Sequence, residues 1–307
     1  MDRREVIPGA NDRKHTAQIL VWFIYIAPFL TVAARLGTKY ALVRKLGQDD
    51  YLMIAAQGMC LAQCVAVSWG LASGLGKFKY ELSAVDIDNF LKAEYVGVVL
   101  WIISMTLVKW SISDFIRQLN PVTMHRQLEL ALRAALTIWL LTSVLCLLFQ
   151  CAPPRPWDYI HGTKCVSQRA LWAYISVMNI LTDMAIVALF ILIIARLQMS
   201  GSRKALVLSL FLTRLLVVGV SVVQLQIFLK QFSYSDPTDA LWLPILLNQA
   251  VLATSTVTAC VPYLKPFMES LESGIIRLES VQGPQERYPL GSIWGRRISP
   301  KQQERQH

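Results

Sequence analysis

The sequence predicts an all-α fold, a polytopic membrane protein with a bundle of seven transmembrane helices, the N-terminus outside and the C-terminus in the cytoplasm. Composition is the first observation: of 307 residues, 54% are hydrophobic and 16% are charged, and the mean hydropathy is +0.44. A soluble domain averages about 45–50% apolar and about 25% charged residues. The second observation is clustering, because the apolar residues form runs of roughly 20, the length that crosses a hydrocarbon layer of about 30 Å.

Seven apolar windows define the predicted helices. Only helices cross lipid in segments of this length, because each backbone donor and acceptor must be satisfied within the segment. The windows are 17–36, 51–73, 90–115, 128–150, 170–195, 205–230 and 241–264. Short connections join them, so we expect one membrane domain at 17–268, a polar N-terminal segment at 1–16 and a cytoplasmic tail at 269–307.

Basic residues in the short loops predict the orientation. The loops that face inward if the N-terminus is outside hold nine Lys and Arg residues, among them Arg35 and Lys39, and the outer loops hold six. Cytoplasmic loops carry the excess of basic residues in membrane proteins. The net charge of +10 comes without a basic block, so we expect membrane lipid rather than nucleic acid as the partner.

Six cysteines are present, and two of them lie beside a loop. Cys151 and Cys165 flank the proline-rich connection between the fourth and fifth windows, which faces outward in the predicted orientation. Disulfides persist in that compartment, so we predict a bridge here; two unpaired thiols are the alternative. Cys60 and Cys64 share a helix face, but they lack a nearby His or a further Cys, which favours packing over metal binding. We predict no metal and no cofactor.

Ionisable residues inside the windows are candidate functional residues, because charges in hydrocarbon are costly. A first group lies near the cytoplasmic surface in the predicted orientation: Lys109, Asp114, Glu129 and Arg133. Glu129 and Arg133 are four residues apart and can pair on one helix face. The simplest interpretation is an ion-pair network at the membrane interface.

A second group lies deeper. Asp183 follows Asn179 by one helical turn, and Arg214 reaches a comparable depth on the next window. Two interpretations stay open: a structural ion pair between two helices, or a buried polar site for a ligand or for proton transfer. Glu94 is placed as a second carboxylate of that site, and Asp183 and Glu94 are the candidate general acids.

Two classes of seven-helix protein are excluded by their own motifs. A retinal protein needs a mid-membrane lysine, normally on the last helix, and the window 241–264 has none. Receptors of the animal rhodopsin type carry an acidic-Arg-aromatic motif at the inner end of the third helix. That end reads KWSISDFIRQL here, which lacks the motif.

Several strings along the chain resemble one family. In chain order they are GQDDYLM (47–53), GLGKF (74–78), KWSI (109–112), LFQCAPPRPW (148–157), KCVSQRALW (164–172), NILTD (179–183) and CVPYLKP (260–266). The resemblance extends over about residues 20–268. The chain resembles the fungal rhodopsin-domain integral membrane proteins of the satratoxin-cluster type, which overlap the fungal pathogenicity-associated, receptor-like seven-helix proteins.

Departures from the family pattern concern polar and proline positions. The family's Pro-x-Pro string after the NILTD aspartate is replaced by ALFILII, and Asp114 and Arg214 look like additions. The resemblance therefore implies the fold, and the departures imply that this chain does not bind the ligand of typical members in the same way.

Three functions are compatible with the predicted fold and the family resemblance. The first is a pathway-specific membrane protein of fungal secondary metabolism that acts on or carries a hydrophobic small molecule. The second is a receptor-like sensor of an external ligand that signals through its inner loops and tail. The third, a transporter, is weakest, because seven spans cannot form two equal inverted halves. Whether the protein is an enzyme is left open.

Overall fold

Seven long helices form the described part of the molecule. The computed structural model describes the backbone of residues 10–74, 83–119, 123–160, 164–196, 201–231 and 242–279, and side chains within 15–41, 44–74, 83–117, 126–160, 164–192, 213–230 and 243–263. The helices are α1 (Ala10–Val43), α2 (Gln48–Ala72), α3 (Ala84–Leu119), α4 (Thr123–Leu148), α5 (Gln168–Arg196), α6 (Gly201–Gln231) and α7 (Trp242–Glu279). All seven contain a segment long and apolar enough to span a membrane, which confirms the predicted fold class.

The helices extend beyond the apolar windows at several ends. Helix α1 begins at Ala10, inside the predicted polar N-terminal segment 1–16, and α7 continues to Glu279. The chain divides into two compact units, 1–265 and 266–307, and the first contains the seven spans. The tail beyond Glu279 lies outside the described residues, and the proposed domain limits remain predictions.

Antiparallel order gives the bundle two ends, which we name by their residues. The disulfide end carries Cys151 and Cys165 in the α4–α5 loop, together with the starts of α3 and α7. The aspartate end carries Asp49 and Asp50 at the start of α2, together with the ends of α1 and α3. The two names are used below because they do not depend on the orientation in the membrane.

Helix α3 forms the centre of the bundle. Its side chains Trp101, Ile102 and Met105 are fully buried, and Trp139 of α4 is buried as well. Small residues let α2 approach closely: a Cβ added at Gly70 would contact the Ala93 Cβ at 3.4 Å. Van der Waals packing of this kind holds helices together in lipid, where neighbouring helices gain little from the hydrophobic effect.

The α4–α5 loop is tied down at the disulfide end. Cys151 and Cys165 are bonded, which confirms the predicted bridge. Two aromatic side chains then join the loop to α3: Trp157 Nε1 donates to Asp88 Oδ1 at 2.8 Å, and Tyr159 Oη donates to Glu94 Oε2 at 2.7 Å. The loop therefore covers this end of α3.

A dense set of charges joins α1, α2, α3 and α7 at the other end. We call it the aspartate-end cluster; its members are Arg35, Lys39, Asp49, Asp50, Ser111 and Tyr263. Asp50 also accepts a hydrogen bond from the Gly47 amide at 2.8 Å, which satisfies a free donor at the start of α2. The capping carboxylate is thus part of the cluster that fixes the helix start against its neighbours.

Candidate functional site

A fully buried lysine lies at the centre of the bundle. Lys109 Nζ of α3 donates to the Asn179 carbonyl oxygen at 2.8 Å, to Asn179 Oδ1 at 2.7 Å and to Thr182 Oγ1 at 2.7 Å, all on α5. Asp183 Oδ2 lies 3.2 Å away, and the ammonium is 5.2 Å from the centre of the Trp139 ring. These contacts give the cation a carboxylate and three oxygen acceptors inside the membrane domain.

Arg214 brings two further helices to the same place. Its Nη1 lies 3.9 Å from Asp183 Oδ1 and donates to Ser255 Oγ of α7 at 2.8 Å. The same nitrogen lies 3.4 Å from Thr258 Oγ1. Lys109, Asp183 and Arg214 form what we call the central ion cluster, which links α3, α5, α6 and α7.

Several polar atoms of the central ion cluster are buried without a hydrogen bond. Neither carboxylate oxygen of Asp183 accepts one, and Arg214 Nε and Nη2 donate none. Trp139 Nε1 and Ser143 Oγ of α4 are also buried without a hydrogen-bond partner. Unmet hydrogen bonds of buried groups cost about 1–3 kcal/mol each, so the cluster holds its helices in an arrangement that is not fully satisfied.

The position of Lys109 corrects the sequence-based grouping. We expected this residue beside Asp114, Glu129 and Arg133, within two turns of the membrane surface. It contacts Asp183 instead, because α3 continues to Leu119 and Lys109 lies ten residues inside that end. Ten residues of helix correspond to about 15 Å, which places the ammonium at the depth of the second group.

The other three residues of the first group do lie together. Asp114 Oδ1 is 2.5 Å from Arg133 Nη2 and 3.1 Å from Arg117 Nη2. Glu129 Oε1 is 3.4 Å from Arg133 Nε and accepts a hydrogen bond from Ser113 Oγ at 2.8 Å. This network joins the end of α3 to the start of α4.

Glu94 lies apart from the site that it was expected to complete. It is on the same helix as Lys109, fifteen residues earlier, and that separation corresponds to about 22 Å along the axis. The two candidate carboxylates therefore belong to different sites. Glu94 instead holds the α4–α5 loop through Tyr159. Burial and the neighbouring Glu94 raise the pKa of the Tyr159 phenol well above its usual value, so it stays a hydrogen-bond donor.

The sequence analysis also did not predict a layer of polar side chains around Glu94. It lies on α2, α3, α6 and α7 and comprises Gln63, Glu94, Gln224, Asn248 and Gln249. Gln224 donates to Asn248, and Gln249 Nε2 lies 2.8 Å from Cys64 Sγ. A cavity of about 20 Å³ adjoins Gln63, Glu94 and Asn248, which is room for one water molecule.

The aspartate-end cluster is the largest polar feature that sequence reasoning missed. Arg35 and Lys39 were counted as loop residues, but Arg35 is fully buried and lies 2.7 Å from Asp49. The available signal was an Asp-Asp pair directly before an apolar helix, opposite the basic end of the preceding one. Because Arg35 and Lys39 were counted as loop charges for the orientation, their pairing with Asp49 and Asp50 was not considered.

The chemistry open to the central ion cluster is limited by its contacts. All three protons of the Lys109 ammonium have oxygen acceptors, so the amine is not free for covalent chemistry with a carbonyl compound. Asp183 is fully buried with a cation near each oxygen, so it is not placed to protonate a substrate. Among the described side chains, no three His, Cys, Asp or Glu residues gather as a metal site.

A comparison with known protein families supports the family resemblance that the sequence indicated. The family model of the fungal rhodopsin domain matches residues 34–270, which include every side chain of both clusters. The chain belongs to the fungal rhodopsin domain family. No curated protein and no solved structure shows a match to this chain. It is thus a multi-pass integral membrane protein of this family.

Proposed function

We propose that this fungal rhodopsin-domain protein is a receptor-like sensor, in which a ligand at the disulfide end changes the arrangement of helices at the central ion cluster. One observation carries the proposal: Lys109, Asp183 and Arg214 link four helices through buried charges, and part of their hydrogen-bonding capacity is unused. A packed element with two alternative pairings can change state when a ligand favours one of them.

The disulfide end supplies the ligand-facing region of this proposal. The polar layer of Gln63, Glu94 and Asn248 lies below a loop held by the Tyr159 and Trp157 hydrogen bonds. Its cavity of about 20 Å³ is smaller than a ligand site, for which about 300–1,000 Å³ is usual. Ligand binding therefore requires the loop to move, and α3 connects that movement directly to Lys109.

The pathway role in fungal secondary metabolism is the competing proposal, and its acid-catalysis form is disfavoured. Asp183 lies between two cations, and Glu94 is half-buried and engaged by Tyr159. Separated by the length of several helical turns, the two carboxylates cannot act on one substrate. Carriage of a hydrophobic intermediate needs neither residue as an acid, and the following experiment distinguishes it from sensing.

Deletion of the gene in its source fungus tests the two proposals together. We expect altered surface or nutrient responses with an unchanged profile of extractable metabolites by mass spectrometry. Wild type and Asp86→Asn should restore the responses, because Asp86 bonds to Ser83 of its own turn and lies outside the loop contacts. Asp183→Asn should not restore them. Loss of one compound family with accumulation of a hydrophobic precursor would support the pathway role and contradict sensing.

A distance measurement tests the conformational part directly. Exposed Tyr40 of α1 and Leu216 of α6 can be changed to Cys and spin-labelled in a Cys146→Ser background, because the other unbonded cysteines are buried. In lipid nanodiscs we expect Asp183→Asn to shift the mean label distance by roughly 2 Å or more. Asp86→Asn is the control, and equal distributions in all three proteins would contradict a switch at the cluster.

The orientation that this proposal needs remains a prediction. Every described acid near the aspartate end is buried, namely Asp49, Asp50, Asp114 and Glu129. At the disulfide end the acids Asp86, Asp88 and Asp158 are partly exposed. The positive-inside rule counts Lys and Arg, and it favours the aspartate end as the cytoplasmic one because the loops there hold nine such residues and the opposite loops six. An impermeant thiol reagent on intact cells should label Lys164→Cys and spare Lys45→Cys; the reverse pattern would contradict it.

A further inference from the structure

A groove of about 700 Å³ opens on the flank of the bundle near the aspartate end. It lies between α2, α3 and α4, and its walls include Tyr51, Leu52, Trp110, Leu130 and Ala134. Its volume is within the range of small-molecule sites. The segments that form it are membrane spans, so the medium outside the groove is the bilayer.

Charges at one end of the groove are arranged with the cations outward. Asp114 lines the groove but is only 2% exposed, and Glu129 is 4% exposed. Their partners Arg133 and Arg117 have 28% and 45% of the side chain exposed. The carboxylates therefore hold the two guanidinium groups from below, and the accessible edges of both guanidiniums remain for an anion.

The depth of these arginines is that of lipid headgroups. Arg117 ends the α3 span, and Arg133 lies seven residues, about 10 Å, inside the start of the α4 span. An arginine side chain at such a position is long enough to extend its guanidinium group towards the interface. Arg126, Arg44 and Lys45 at the same end are exposed as well, which adds positive potential around the groove.

We propose that the groove binds an anionic phospholipid of the adjoining leaflet, with its phosphate at Arg117 and Arg133 and one acyl chain beside Trp110 and Ala134. Charge complementarity selects the headgroup, because guanidinium groups bind phosphate in a planar, bidentate manner. The apolar walls accept the chain. The inference is independent of the proposed sensing function.

Fluorescence quenching by brominated lipid tests the proposal. The full chain is placed in nanodiscs of dioleoylphosphatidylcholine that contain a minor fraction of dibrominated phosphatidylserine or, separately, of dibrominated phosphatidylcholine. The emission of Trp110 is the difference between wild type and Trp110→Phe. We expect the brominated anionic lipid to quench this emission at least twice as strongly as the brominated zwitterionic lipid does.

Two variants decide what causes the preference. Arg117→Gln with Arg133→Gln should abolish it, but this change leaves Asp114 unpaired and could prevent folding. Ala134→Phe fills the groove and keeps the arginines, and it should also abolish the preference. Ala135→Phe, exposed one position further on α4 and outside the groove lining, is its matched control and should keep it. Equal quenching by both lipids, or a preference that survives Ala134→Phe, would overturn the proposal.

Discussion

Two buried charge clusters of this molecule use the same chemistry and differ in completeness. In the aspartate-end cluster, Arg35 engages Asp49, Asp50, Ser111 and the Ala259 carbonyl oxygen through all three of its nitrogens. In the central ion cluster, the contacts of Arg214 are made by Nη1, while Nε and Nη2 have no acceptor. One arginine is used completely and the other in part.

The difference distinguishes a cluster that fixes its helices from a cluster that allows its helices to rearrange. Asp49 is held by Arg35 at 2.7 Å, Lys39 at 2.8 Å and Tyr263 at 2.8 Å, so any rearrangement would break several good contacts. Asp183 accepts no hydrogen bond from its cations, so a rearrangement costs less there. Burial of charge alone therefore does not identify a functional site; incomplete pairing is the more informative property.

The largest expected effect comes from removing one carboxylate from each cluster. Asp49→Asn leaves Asp50 as the carboxylate of Arg35 and Lys39 and weakens the hydrogen bond from Tyr263, and it should destabilise the protein by about 1–3 kcal/mol. Asp183→Asn should cost more, about 3–5 kcal/mol, because it leaves the buried charges of Lys109 and Arg214 with neutral acceptors only. Thermal unfolding in detergent, followed by a thiol-reactive dye that reports the buried cysteines, ranks the two. The control is Asp86→Asn at the surface. Equal losses of stability in Asp49→Asn and Asp183→Asn would contradict the distinction between the two clusters.

A smaller effect is expected when each arginine is changed to lysine. Arg35→Lys loses a planar group that reaches four acceptors on three helices, and we expect about 1–3 kcal/mol of destabilisation from lost charged hydrogen bonds. Arg214→Lys keeps one nitrogen for Ser255 and loses atoms that have no acceptor, so its stability should stay within about 1 kcal/mol of wild type. The same unfolding assay applies, and a reversed order would contradict the comparison.

The smallest expected change in stability belongs to an apolar central cluster. Replacing Lys109 with Met, Asp183 with Leu and Arg214 with Met removes all three charges together, and such replacements are often neutral or stabilising. We expect stability within about 1 kcal/mol of wild type, together with failure to complement the gene deletion. Unfolding of the triple variant would make the cluster structural; full complementation would remove its proposed role in sensing.

Local sequence was sufficient for the elements of the fold. Each of the seven helices follows from a run of apolar residues, since a chain in lipid must satisfy its own backbone groups. The bond between Cys151 and Cys165 was also predictable, because the two residues flank one short loop. These features depend on residues close together in the chain.

Pairing of charges between helices depended on the tertiary structure. Whether Lys109 meets Asp114 or Asp183 is decided by where α3 ends and how the helices are offset along their axes, and neither is written in the apolar pattern. A shift of ten residues along a helix moves a side chain by about 15 Å. Local sequence was therefore enough to predict the seven spans, the bridge and the identities of the buried charges. Only the packing of helices decided which charges meet and which atoms remain unpaired, because those depend on axial offset, rotation and depth.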